Sequence, residues 1–306
     1  MASRITVMMY HDVRDLNETP FPNRYAQKSF MRKAEFAEQI QFIKKNYKVI
    51  SMDELASLTT IDTEYAVLTF DDGLKDHVWV ANHLWEQGLP ATFFVPVEPI
   101  TTHQMMKTHK IQFIIGETDL ELIAREILSY FPEADRQLLW EQYSKSAWKD
   151  NYWPAEQVFV TSLLRKYPDK SLSKRICDEL FTKYVTIDEN ALSKDFYLSV
   201  NDTKQLRKLG FTVGGHGFIS ENLVDFSDIE QIDDISRTAA FLFDQGITKM
   251  YMSYPNGGFN YAIIEIMGKC GFDVAFTTTN RIITDLRAEN KLALPRLDAA
   301  QKLIVS

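Results

Sequence analysis

The chain has 306 residues, 45% of them hydrophobic and 25% charged, with a formal net charge of −8. This is enough apolar material for a sizeable core, and an acidic balance without a basic run argues against nucleic-acid binding driven by phosphate contacts. The two cysteines, Cys177 and Cys270, lie in apolar or amphipathic stretches and form no zinc-type pair, so they read as reduced core thiols.

Short apolar runs that stop at polar or turn residues mark buried strands. In chain order these are Ile5 to Tyr10, Lys48 to Ile50, Ala66 to Phe70, Ala91 to Val95, Phe211 to Val213, Met250 to Met252, Val274 to Thr277 and Leu292 to Leu294. The first ends at His11-Asp12; it is too short for a signal-peptide core. No run reaches transmembrane length, so the expected location is the cytoplasm. Helical periodicity fills the gaps: Phe36, Ile40 and Ile43 share a face within Glu35 to Tyr47, and Val80 and Leu84 precede a stop at Gly88. Residues 203 to 209, Ile229 to Phe243 and Tyr261 to Lys269 follow. Alternating strand and helix predicts parallel strands joined by crossover helices, an α/β arrangement.

The segment from about 100 to 195 breaks this rhythm. It carries helix formers and aromatics (Trp140, Tyr143, Trp148, Tyr152, Trp153) with no convincing strand, and it reads as a helical insertion within a single domain spanning residues 1–306. The aromatics are expected mainly to form its own core. His103 and His109, flanking Lys107, are expected on a solvated loop; His77 and His83 are expected to face solvent or packing on the helix after Gly73.

Several strand-like runs end in groups able to do chemistry, and in a barrel of parallel strands such ends converge. Thr69-Phe70-Asp71-Asp72-Gly73 is the sharpest case. Adjacent carboxylates repel, so one tends to find a cation or metal while its neighbour takes a proton from water. The same dipeptide is also an ordinary strand-ending turn.

Leu68 to Gly73 resembles the first signature of the polysaccharide deacetylases, the NodB-like carbohydrate esterases (carbohydrate esterase family 4). Ala91-Thr92-Phe93-Phe94-Val95 is similar to their second-strand pattern. Met9-Tyr10-His11-Asp12-Val13 and the stretch from Phe36 to Leu55 resemble the branch that acts on surface polysaccharide. The resemblance spans roughly residues 5 to 98 and 196 to 300. It implies a distorted NodB-like (β/α)7-8 barrel and metal-dependent removal of an N-acyl group, in the first instance N-acetyl, from an amino sugar. The substrate would be a small-molecule or oligosaccharide amino sugar, with no nucleic-acid partner and no membrane span expected, and the cytoplasmic expectation favours a precursor of surface polysaccharide. By matched position, Asp71 would be the general base, Asp72 and His216 ligands of a divalent metal such as zinc, and the Asn256 N–H an oxyanion donor. Tyr254 and Asn256 would touch substrate.

Two departures bear on these roles. The family places a second histidine four residues after the first, where this chain has Ser220, a poor zinc ligand. His11 or Asp12 from the first strand end, or Glu221 or Asn222, are alternative sources of a ligand; weak or absent metal binding is another outcome. The position at which many members carry an arginine is Ser253, and Arg296 is the candidate to orient Asp71 instead. The late histidine that acts as general acid has no counterpart, which leaves His11 as a candidate proton donor. Two rival functions stay open: a hydrolase of a non-sugar amide on the same barrel, and a non-catalytic sugar-binding relative without metal.

Overall fold

The computed structural model describes residues 3–27, 30–145 and 153–300. Among these, the strands are β1 (Arg4–Tyr10), β2 (Asp12–Val13), β3 (Phe30–Met31), β4 (Lys48–Val49), β5 (Glu64–Phe70), β6 (Thr92–Val95), β7 (Thr212–Gly215), β8 (Met250–Ser253), β9 (Phe272–Phe276) and β10 (Leu297–Asp298). The helices are α1 (Lys33–Asn46), α2 (Met52–Ser57), α3 (His77–Trp85), α4 (Val97–Thr102), α5 (Lys107–Glu117), α6 (Leu120–Ser129), α7 (Glu133–Tyr143), α8 (Ala155–Lys166), α9 (Lys170–Tyr184), α10 (Glu189–Phe196), α11 (Val200–Lys208), α12 (Asp228–Asp244) and α13 (Tyr261–Lys269).

The main sheet is parallel and ordered β10-β1-β5-β6-β7-β8-β9, with β4 also pairing β5. β1 and β5 are buried along almost their whole length, as parallel strands covered on both faces must be. The sheet curls back on itself near Leu294. That residue forms a parallel bridge with Phe276 at the end of β9, and the chain then runs through Pro295 and Arg296 into β10, which pairs with β1. The result is a distorted (β/α) barrel. Its interior packs Val7, Val67, Phe94, Tyr251, Val274 and Phe276 into one cluster.

Local chemistry explains where the helices start. Ser51, Ser199 and Ser227 each cap a helix with a side-chain oxygen, and the acid three residues on (Glu54, Asp202, Glu230) reaches back to the capping N–H. The run Leu292 to Leu294 is not the strand its apolar character predicts. Lys291–Ala293 forms a 3-10 turn, capped by the Asn290 side chain on the Leu292 N–H. Pro295 has no N–H for a ladder, and the strand proper begins two residues later.

By contacts the chain divides into two compact units: residues 1–15, 28–104 and 193–306, and residues 16–27 with 105–192. The first contains the barrel sheet. The second is helical, with a core that includes Ile111, Phe113, Ile123, Phe159, Leu163 and Phe181. The short segment 16–27 joins this helical unit, which its composition does not announce. His109 is buried on α5 rather than on a solvated loop, because Ile111, Phe113 and Ile114 draw the helix into the core. Of the aromatics in this region, Trp140 packs on Phe159 and Tyr143 is buried, while Trp153 is partly exposed; Trp148 and Tyr152 lie outside the described residues. Cys177 is buried and Cys270 half-buried, both as free thiols. Among the described residues no helix is long and apolar enough to cross a membrane.

Candidate active site

Asp71 and Asp72 sit just past the end of β5 and part company there. The Asp71 N–H continues the ladder to the Tyr10 carbonyl at 2.9 Å. Asp72 and Gly73 then both take left-handed backbone, with φ of +70° and +58°. Aspartate tolerates that region better than most residues, and Gly73 has no side chain to press on Val95 and Pro96. The Asp71 carboxylate ends up 2% exposed, while the Asp72 side chain is 15% exposed.

Inside the barrel Asp71 meets Arg296, which is fully buried. Arg296 Nη1 donates to Asp71 Oδ1 at 2.8 Å and Nη2 to Oδ2 at 2.7 Å. The guanidinium is itself held by the Thr277 carbonyl (3.1 Å) and the Thr69 hydroxyl (3.2 Å). Burial alone would raise the Asp71 pKa. The charges of Arg296, His216 and His11, with the Arg296 hydrogen bonds, outweigh it and hold the carboxyl below its ordinary value.

His216 follows Gly214 and Gly215 at the end of β7. A Cβ at Gly214 would lie 2.6 Å from the Tyr251 carbonyl, and one at Gly215 2.4 Å from Thr238; only glycine lets β7 seat this closely. The imidazole Nδ1 lies 3.0 Å from the Ser253 carbonyl and 2.6 Å from the Ser253 hydroxyl. A carbonyl can only accept, so Nδ1 carries the hydrogen. Nε2 is turned to Asp72 Oδ1, 3.4 Å away. An acceptor nitrogen and a carboxylate oxygen at that distance repel unless a proton or a cation lies between them. Burial would lower the His216 pKa, but the Asp71 and Asp72 carboxylates raise it above its ordinary value.

The loop after His216 is pinned from two sides. Asp234 on α12 accepts the N–H groups of Phe218 (2.9 Å) and Ile219 (3.1 Å). The carbonyls of Gly217 and Phe218 accept from Val97 and Glu98 at the start of α4. Ser220 is buried, with φ of +57°. Among the described residues no three His, Cys, Asp or Glu side chains gather as a metal-binding group. His11, Asp12 and Glu221 therefore do not complete a triad with Asp72 and His216 in this conformation. The donor pair itself suits a divalent ion: one carboxylate oxygen and one imidazole nitrogen face each other, and the other ring nitrogen is anchored on a main-chain carbonyl. The remaining coordination positions would fall to water or substrate.

The other expected residues are placed as follows. His11, half-buried at the end of β1, is one of the charges acting on Asp71; its carbonyl is 3.0 Å from Nε2 of the fully buried His77. His77 packs between Phe70 and Phe93, and His83 stacks on Trp79. Asn256 is exposed in a left-handed turn (φ +55°) after β8. Tyr254 is fully buried, stacked on Phe259, and its hydroxyl donates to the Leu292 carbonyl at 2.8 Å; that bond gives the ring a structural task. Sequence reasoning missed Ser253, Thr69 and Thr277 as polar partners of the site and Asp234 as the clamp on its loop. Their one signal was position: Thr69, Ser253 and Thr277 stand at strand ends beside residues already singled out.

No protein-family model matches the chain, and no curated protein sequence matches it. Solved structures do resemble it. The deacetylase PplD of Streptococcus pyogenes, in complex with acetate, is 14% identical over 97% of this chain and 93% of its own, with a TM-score of 0.58. IcaB from Ammonifex degensii is 14% identical over 97% and 92%, with a TM-score of 0.55. BC0361, a polysaccharide deacetylase from Bacillus cereus, is 14% identical over 97% of this chain and 65% of its own, with a TM-score of 0.56. Parallel strand order, curled sheet and these neighbours agree: the chain has the NodB-like polysaccharide-deacetylase fold.

Proposed function

We propose that this protein is a hydrolase that removes an N-acyl group, N-acetyl in the first instance, from an amino sugar. The observation that carries the reading is the pairing of two differently treated carboxylates at one strand end. Asp71 is held ionised by Arg296, and its neighbour Asp72 faces the acceptor nitrogen of His216. The fold shared with PplD and BC0361, a deacetylase and a polysaccharide deacetylase, supports the same class of reaction.

Asp72 and His216 would hold the divalent cation, zinc being one candidate. A cation bound there would supply Lewis acidity toward the acyl carbonyl and toward water. Asp71 is the general base. Three hydrogen bonds occupy its two oxygens, two on Oδ1 and one on Oδ2, so Oδ2 keeps a lone pair to accept a proton from water. The water oxygen then bonds the acyl carbon. The Asn256 N–H faces the oxygen that gains charge. As the carbon–nitrogen bond breaks, His11 or the newly protonated Asp71 gives a proton to the departing amine, leaving a free carboxylic acid and an amino sugar.

The test is release of acetate from N-acetylated oligosaccharides and sugar nucleotides by purified protein, with and without added zinc, after chelator treatment. Zinc-dependent release supports the reading. Sugar binding with neither zinc uptake nor acetate release favours a non-catalytic relative, and release from cyclic or non-sugar amides alone favours a different hydrolase.

A further inference from the structure

Ser253 closes β8 with its side chain fully buried between the two halves of the site. Its hydroxyl oxygen lies 2.6 Å from His216 Nδ1 and 3.0 Å from Asp71 Oδ1. The Ser253 carbonyl, 3.0 Å from the same Nδ1, requires that this nitrogen carry its hydrogen. The hydroxyl oxygen therefore accepts from the imidazole, and its own hydrogen is free for only one acceptor, Asp71. The opposite tautomer would set a bare Nδ1 against the carbonyl lone pairs and turn the hydroxyl hydrogen away from Asp71.

A continuous path results, from Arg296 to Asp71 to Ser253 to His216, whose Nε2 faces Asp72. Every link is buried, so water does not compete for the hydrogen bonds. Arg296 reaches Asp71 from the start of β10, which leaves the strand-end position of β8 to a residue short enough to touch both carboxylate and imidazole. We propose that Ser253 is a positioning residue whose hydroxyl ties the His216 ring, in the tautomer its carbonyl sets, to the Asp71 carboxylate, so that one side chain orients both the metal-binding face and the base. This inference rests on the deacetylase reading above.

The experiment compares wild type, Ser253→Ala and Ser253→Thr for zinc affinity by calorimetry, for kcat and KM of acetate release, and for thermal unfolding. Alanine is smaller than serine and introduces no clash; threonine restores the hydroxyl and suits a strand end. Partners that orient a metal histidine typically contribute 10–100-fold in affinity or activity. Since the carbonyl still anchors Nδ1, Ser253→Ala is expected to weaken zinc binding about 10-fold and to lower kcat by a similar factor with KM little changed, and Ser253→Thr to recover both. A Ser253→Ala protein that matches wild type in zinc affinity and kcat overturns the inference alone, as does a folded Ser253→Thr no better than alanine. A wild type that neither binds zinc nor releases acetate overturns the deacetylase reading and the inference with it.

Discussion

Arg296 and Asp71, 225 positions apart in the chain, form a two-point ion pair in the barrel interior. The planar guanidinium matches both carboxylate oxygens at once, a geometry that lysine cannot copy. Removing the cation strands a buried carboxylate. Arg296→Met is expected to destabilise the fold by about 3–5 kcal/mol, as breaking a buried pair does, and to abolish acetate release. The double variant with Asp71→Asn should lose less than the two single losses added together. Chemical denaturation of the four proteins checks this; additive losses would mean that the pair does not act as a unit.

Asp71→Asn keeps the shape of the side chain but cannot take a proton. Acetate release should fall about 10²–10⁴-fold while zinc content stays at the wild-type level. Because the change leaves Arg296 buried without its anion, a lowered unfolding temperature is expected alongside. Near-native turnover would remove Asp71 from the mechanism.

Asp72→Ala and His216→Ala should each lose zinc altogether, since among the described residues the site offers only these two facing donors. Ser220→His should strengthen zinc binding if the buried loop position faces the ion, whereas His11→Ala should spare affinity and lower activity. Loss of zinc from His11→Ala would make His11 a ligand instead of a proton donor.

The helical unit should show its own acid sensitivity. Asp178 is partly buried, which would raise its pKa, but hydrogen bonds from Lys110 (2.6 Å) and Lys174 (2.6 Å) outweigh burial and lower it. A carboxyl with a lowered folded pKa stabilises above its unfolded value, about 3.9, and loses that contribution as pH falls through the folded one. Wild type should therefore exceed Asp178→Asn in stability at neutral pH, with the gap closing below about pH 4. Urea melts across that range measure it; a gap independent of pH would sink the argument.

Cys177 is fully buried, and burial pushes its thiol up to about 12. The native protein should resist alkylation there at neutral pH and react once unfolded, because thiolate and access are both lacking. Mass mapping after a brief iodoacetamide pulse distinguishes the two states.

The local chemistry of this chain is legible without coordinates. Apolar runs of strand length, their polar endings and the helix periods between them announce alternating strands and helices, because hydrophobic periodicity and turn chemistry are properties of neighbours in sequence. Asp71, Asp72 and His216 stand out for the same reason: each follows a buried run. Arg296 was a candidate from its strand-end position, but its two bonds to Asp71 exist only because β10 returns to pair with β1. The task of Ser253 could not be read at all, since one hydroxyl between an aspartate and a histidine is a fact of three converging strands. Nor could the joining of residues 16–27 to the helical unit, or the turn that replaces the expected strand at Leu292. Such features are settled by which strand ends meet and which backbone groups remain to be paired, and those are decided only when the sheet curls and brings distant residues within hydrogen-bond reach.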